Sequence, residues 1–269
     1  MNNLILLAGA LLGATVLAAE PGDSSMDTFD DLRRAPWLEV FSDPGTGDWT
    51  RNWFLDGEQA TVQATPQGME LRAGPNAGDD ASHAVLWTRE SFTGDLKMEY
   101  EFTRLDHATE FVVILYLQAT GSGTEPYVED LAAWRDLRTV PSMRTYFNHV
   151  NTYHISYAAF DIGNSDPGND YIRARRYLPE SGKGLEGTEL RPSYDHTGLF
   201  ATGVPHQMTV IKSGQDLYLH VQGPEKSMLC HWHNADLPPV LAGRIGLRHM
   251  YTRQARYRNL RIAERQPVR

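Results

Sequence analysis

The 269-residue chain has a single cysteine, Cys230, so an intramolecular disulfide framework is excluded and burial must hold the core. Nothing around Cys230 resembles an activating motif, and it reads as inert. Past residue 18 no apolar stretch approaches the ~20 residues of a membrane helix, so no stable membrane insertion of the mature chain is expected. Basic side chains are in deficit, 25 against 34 acidic ones, and the resulting charge of −9 repels nucleic acid and anionic lipid over most of the surface. Any anion-binding site must therefore be a local basic patch. Glycine and proline number 23 and 15, too few for a collagen-like or linker-dominated chain and enough for a fold rich in turns. There is no GxSxG, phosphate-loop or dinucleotide fingerprint. The ExDxxE strand, which gives retaining glycosidases two carboxylates about 5 Å apart, is also missing.

What is present begins with an apolar run over residues 4–18, of signal-peptide length, with Val16 and Ala18 as the small residues before a cleavage point at Ala19. The expectation is an export signal over 1–18, a polar and poorly ordered leader over 19–36, and a periplasmic or secreted protein. Residues 37–269 read as one all-β domain, because short alternating segments are separated by Gly, Pro, Asn and Asp clusters. Leu96, Met98, Tyr100 and Phe102 alternate with Lys97, Glu99 and Glu101, which describes a strand with one buried and one wet face. Phe111 to Leu117 is apolar on both faces and predicts a central strand. Further strands are expected near 60–64, 69–73, 84–88, 152–160, 170–177, 207–212, 216–221, 243–249 and 256–263. One segment, Glu129 to Arg138, carries acids early, a base late and Pro141 beyond it; it predicts a short helix inserted between strands. The expected fold is a two-sheet antiparallel sandwich with that helix as a packed surface element or one wall of a cleft.

The most informative stretch is Tyr171-Ile172-Arg173-Ala174-Arg175-Arg176-Tyr177. Side chains two apart in a strand share a face, so Ile172 and Ala174 toward the core put Tyr171, Arg173, Arg175 and Tyr177 together on the other side. Such a stripe is either a solvated strand face with Arg stems over apolar surface or a recognition site for a carboxylated or sulfated sugar, since guanidinium groups pair bidentately with planar anions. In the preceding strand, Tyr153, Ile155 and Tyr157 facing the core would turn His154 and Ser156 the opposite way. If the two strands are neighbours, His154 joins the basic stripe.

The strings Asn-Thr-Tyr-His-Ile-Ser-Tyr at 151–157, Asn-Asp-Tyr-Ile-Arg-Ala-Arg at 169–175, Gly-Met-Glu-Leu-Arg-Ala-Gly at 68–74 and His-Ala-Val-Leu-Trp-Thr at 83–88 resemble those of the YesU-like proteins, a family of unassigned function, over roughly residues 37–265. The resemblance implies a concanavalin A-like jelly roll and a role in breaking down plant or algal polysaccharides, often acidic ones. It supplies no catalytic scheme, and Asn151, His154, Arg173 and Arg175 are carried over only as matching positions.

Lyases on this fold remove the proton alpha to a uronate carboxylate and protonate the leaving oxygen, with Arg or amide groups neutralising the carboxylate. His154 as base, Tyr171 or Tyr177 as acid, and Arg173 with Arg175 at the carboxylate form a coherent set, with Asn151 and Arg248 as further substrate contacts. The leading expectation is thus a carbohydrate-active lyase on an acidic glycan, with a glycoside hydrolase or a non-catalytic glycan-binding module as alternatives. No cofactor is expected. The oxygen-rich run Asp161 to Asp170 lacks EF-hand spacing and reads as a loop rather than a structural Ca²⁺ site, and His231 and His233 have no third metal ligand at recognised spacing. Glu99 and Glu101 are explained by the wet face of their strand.

Overall fold

The structure, a computed structural model, describes residues 22–179 and 183–266; the expected export signal lies outside them. Two antiparallel sheets of eight strands each form a sandwich. In sheet 1 the order is Ser227–His233, Asp216–Gln222, Pro205–Ser213, Leu96–Arg104, Gln254–Arg265, Gly68–Arg72 and Thr61–Thr65, with Trp37–Asp43 also on Gln254–Arg265. In sheet 2 the order is Glu189–Asp195, Tyr171–Tyr177, Val150–Phe160, Phe111–Gly121, Ala242–His249, Ala84–Thr88 and Trp53–Asp56, with Phe92–Thr93 also on Ala242–His249.

Period-two patterning places the core. Leu96, Met98, Tyr100 and Phe102 point from sheet 1 into one apolar cluster with Val113, Leu115, Leu117, Tyr153, Ile155 and Tyr157 of sheet 2. Lys97, Glu99 and Glu101 stay on the outer side of sheet 1. The central strand of sheet 2 is apolar on both faces because its other face is also covered: Val112, Ile114 and Tyr116 pack in a second cluster with Trp87, Leu131, Trp134 and Tyr146.

The cover is the inserted segment. Leu131–Arg138 is a 3₁₀ helix kinked at Trp134, and an α-helix, Met143–His149, follows it. The second helix was not foreseen, since its seven residues are too few to show a period. The segment is pinned by Asp56, whose Oδ2 accepts hydrogen bonds from Trp87 Nε1 at 2.8 Å, Arg138 Nε at 2.6 Å and Tyr146 Oη at 2.9 Å. Arg138 spends its other donors on the carbonyls of Trp134 and Leu131.

Two other features differ from expectation. Part of the leader is ordered: Gly22–Arg34 is an α-helix that seats Phe29 on Ile211 and Tyr218 of sheet 1. A polar run with few apolar residues looks unstructured by composition, and it is the docking partner that makes a helix here stable. Glu189–Asp195 is a strand despite Pro192, which is tolerated because this is an edge.

Removing one member of a buried ion pair strands the other, at a cost of about 3–5 kcal/mol. Asp56→Ala is therefore expected to lower the urea unfolding free energy by that amount. Gly246→Ala is expected to destabilise by about 1–3 kcal/mol, since a Cβ there would lie 2.4 Å from the Trp87 ring.

Candidate functional site

Strand register brings the basic stripe and the histidine together. Tyr171–Tyr177 pairs with Val150–Phe160, with Arg175 opposite His154 and Arg173 opposite Ser156. The row continues across the outer face of sheet 2 from His154 to Tyr116, Gly246 and Trp87. A second row runs from Ser156 through Ile114, Arg248 and Val85 to Asp56. The inserted helices lie over the Trp87 and Arg248 end and leave the other end open. That open end is a cavity of about 360 Å³ whose polar lining is His154, Ser156, Asp161, Tyr171, Arg175 and Tyr177, with apolar walls that include Met143, Phe147, Leu185 and Met250.

Within it, His154 is 4% exposed, held between Tyr177 Oη at 2.6 Å from Nδ1 and Ser156 Oγ at 2.6 Å from Nε2. Burial, reinforced by the Arg175 and Arg248 charges, keeps its pKa well below the usual imidazole value, so the ring is neutral. Burial pushes the Tyr171 phenol up to about 12, with Asp161 adding to the shift, and Tyr177 also upward. Both phenols are proton donors at neutral pH.

The two stripe arginines differ. Arg173 is committed: Nη1 meets Asp161 at 3.3 Å, Nη2 meets Asp195 at 3.0 Å, Nε donates to Ser193 at 2.9 Å, and the guanidinium lies 3.7 Å from the Tyr171 ring centroid. Arg175 bonds Glu189 through Nη2 at 3.1 Å and Thr188 through Nη1 at 3.3 Å, and it lines the cavity. Two of the carboxylate partners, Glu189 and Asp195, come from the edge strand that sequence reasoning missed, although its Glu-Leu-Arg-Pro-Ser-Tyr-Asp alternation was a usable signal, and the third, Asp161, lies in the loop after Val150–Phe160.

Two expected contacts are elsewhere. Arg248 is fully buried under the inserted segment, where Nη2 donates to the Pro141 carbonyl at 2.7 Å, lies 2.6 Å from His83 Nδ1, and the guanidinium stacks 4.4 Å from the Tyr146 ring centroid. The unforeseen helix is the reason it does not reach the cleft. Asn151 is the second residue of Val150–Phe160 and donates to Thr120 Oγ1 at 3.2 Å, off the cavity lining. His231 and His233 share Asp216 Oδ1 at 2.8 and 2.9 Å. Among the described residues no group of three or more His, Cys, Asp or Glu is arranged to hold a metal ion, and no helix is long and apolar enough to cross a membrane.

No family model matches the chain, and no curated protein matches it by sequence. Solved structures do. A Bacillus subtilis protein of unknown function with a galectin-like fold superposes with a TM-score of 0.62 at 19% identity, covering 86% of this chain and 100% of that one. The metal-free exoplasmic/lumenal domain of VIP36 gives 0.55 at 13% identity over 87% and 95% of the two chains. Lectin II from Ulex europaeus gives 0.52 at 8% identity over 83% and 97%. These likenesses, with the two eight-stranded sheets, define the fold class as a galectin-like, concanavalin-type jelly-roll sandwich.

The buried histidines set a pH dependence. An unfolded imidazole titrates near about 6.5, whereas folded His83 and His249 are held by burial at about 3 and folded His154 well below its usual value. Above pH 6.5 neither state binds these protons and their full contribution to stability is present. Below it only the unfolded chain does, so stability falls toward pH 3. The expected loss is about 1.36 kcal/mol per pH unit for each fully buried imidazole. Urea unfolding between about pH 6 and about pH 5 is expected to show a shallower slope, by one proton, in His154→Gln.

Proposed function

We propose that this chain recognises an acidic glycan through the cavity on the outer face of sheet 2. The observation that carries the reading is the convergence of Arg175, Tyr171, Tyr177, Ser156 and His154 on one open hollow with apolar walls, in a protein whose net charge of −9 would otherwise repel anions. A guanidinium supplies charge-assisted contacts to a carboxylate or sulfate, phenols supply donors, and Phe147, Met143 and Leu185 supply apolar surface for sugar faces. Arg175 is the anchor, because its Nε makes no hydrogen bond among the described residues while Arg173 is saturated by two carboxylates. The resemblance to YesU-like proteins and the likeness in fold to a lectin agree with a glycan ligand. An exported, periplasmic or secreted location accords with that ligand, and the recognition needs no cofactor.

β-Elimination is the second reading. It is favoured by a neutral imidazole and a protonated Tyr171 lining the same cavity as Arg175: His154 would take the proton alpha to the carboxylate and Tyr171 would give one to the leaving oxygen. It requires His154 to release Ser156 first, since both ring nitrogens are engaged. Binding makes no such demand and is preferred.

A screen of pectic, algal and glycosaminoglycan oligosaccharides separates the readings. Binding without products supports recognition, ultraviolet absorbance from an unsaturated uronate supports elimination, and new reducing ends without that absorbance support hydrolysis. Arg175→Ala is expected to cost about 1.5–3 kcal/mol of affinity, about a 10- to 150-fold loss, with Arg173→Ala costing less. Equal affinity of Arg175→Ala and wild type would remove Arg175 as anchor. If elimination occurs, His154→Ala is expected to lower turnover by about 10²–10⁴-fold.

A further inference from the structure

The cavity does not run across the whole sheet. Its floor is the outer face of Phe111–Gly121, Val150–Phe160 and Tyr171–Tyr177, and other parts of the chain build up three of its sides. Toward the centre of the sheet stand Met143 and Phe147 of the inserted α-helix. At one end of the strands stand Asp161 and Ile162, in a loop that is tied down: Asn164 Nδ2 donates to the Thr109 carbonyl at 2.8 Å, Thr109 Oγ1 to the Asn164 carbonyl at 3.1 Å, and the Gly163 amide to Glu110. On the opposite side is Leu185, whose carbonyl lies 3.5 Å from Arg175 Nη1. The neighbouring Gly184 meets the inserted helix, since a Cβ there would lie 3.7 Å from the Phe147 ring.

The fourth side, toward the edge strand, continues. Arg175 lines both the cavity and a second hollow of about 210 Å³ over Tyr171–Tyr177 and Glu189–Asp195. Leu190 packs in the core and Tyr194 against it, so alternation turns Glu189, Arg191, Ser193 and Asp195 outward, onto the face that carries Arg173 and Arg175. Pairing of the two strands breaks between Ile172 and Ala174: two steps along one strand meet four along the other, from Tyr194 to Leu190. The resulting bulge carries Arg191 and Ser193 into the lining of the hollow. Three guanidinium groups, of Arg173, Arg175 and Arg191, meet two carboxylates there. Arg191 is the least engaged, reaching only Glu189 among the described residues, at 4.0 Å, with a side chain 89% exposed.

We propose that the site takes the end of an acidic oligosaccharide rather than an internal stretch, with the terminal sugar in the cavity, the next sugar over the edge strand beside Arg191, and Arg175 between the two. This rests on the glycan-recognition reading of the cavity and adds to it the direction in which the sugar chain leaves. An internal stretch needs an exit on two sides, and the inserted helix stands on the side opposite the edge strand. The cavity volume of about 360 Å³ is near the lower limit of about 300 Å³ for small-molecule sites, which suits one sugar unit rather than several. Arg191 then acts on the second sugar only, whereas Arg175 anchors the first.

Calorimetric titration of the full chain with galacturonate, mannuronate and guluronate oligomers of one to six units tests this. Per mole of oligomer, affinity is expected to rise from one unit to two and then stay level, because further units lie beyond the edge strand. Arg191→Ala, at a solvated position, is expected to weaken binding of the two-unit ligand by about two- to fivefold, the size of an exposed charge contact, and to leave the one-unit ligand unchanged. Arg175→Ala is expected to weaken both. An affinity that keeps rising with every added unit, as for an internal stretch that gains registers with length, would overturn the chain-end seat. Equal affinity for one and two units, or no effect of Arg191→Ala on the two-unit ligand, would overturn the second seat. In either case binding that still depends on Arg175 would leave the glycan reading standing, whereas no binding by any of these oligomers or by the glycosaminoglycan oligosaccharides would refute that reading and this one with it.

Discussion

One carboxylate oxygen, Asp56 Oδ2, gathers an indole, a guanidinium and a phenol from three separate parts of the chain. Asp56 sits on the edge strand of sheet 2, Trp87 on the strand beside it, and Arg138 and Tyr146 on the inserted helices. Closing this cluster fixes where the inserted segment lies, and with it how much of the outer face of sheet 2 is covered. Tyr146 then stacks within 10° of parallel on Trp87 and Tyr116, and Gly246 leaves room for the indole to lie flat. The cavity is what remains of the face beyond the helix, walled by Met143 and Phe147.

That geometry divides five arginines by their surroundings. Arg138 is neutralised by Asp56 and Arg173 by two aspartates, so both serve architecture. Arg176, on the core side of its strand, donates to the Pro238 carbonyl at 2.8 Å, and burial lowers its pKa to about 10. Arg175 keeps one edge toward the cavity, and Arg248 keeps two buried donors without partners. Guanidinium groups that bind ligands are those whose donors are not already used and that reach an open surface, which singles out Arg175.

Much of this was legible in the sequence because a strand has a strict period of two. Alternation placed Tyr171, Arg173, Arg175 and Tyr177 on one face, turned His154 and Ser156 to the same side, and identified Phe111 to Leu117 as a central strand. Partners set by tertiary contact were not legible. Whether Arg173 is free depends on Asp161 and Asp195, one in a loop and one on a missed edge strand. Whether Arg248 reaches a cleft depends on a seven-residue helix too short to announce itself. The Asp56 cluster joins positions 82 and 90 residues apart, a separation that no local pattern reports. The leader helix is a similar case, since Phe29 needs Ile211 and Tyr218 before its burial has meaning.

The central claim is that the open end of sheet 2 is where an acidic sugar sits. Hydrogen exchange of the full chain with and without each acidic oligosaccharide of the pectic, algal and glycosaminoglycan panel tests it most directly. The account predicts slowed exchange in Val150–Phe160 and Tyr171–Tyr177 with at least one acidic ligand and not with its neutral counterpart. Protection confined to the outer face of sheet 1, equal protection by the neutral sugar, or no protection by any member of the panel would contradict it.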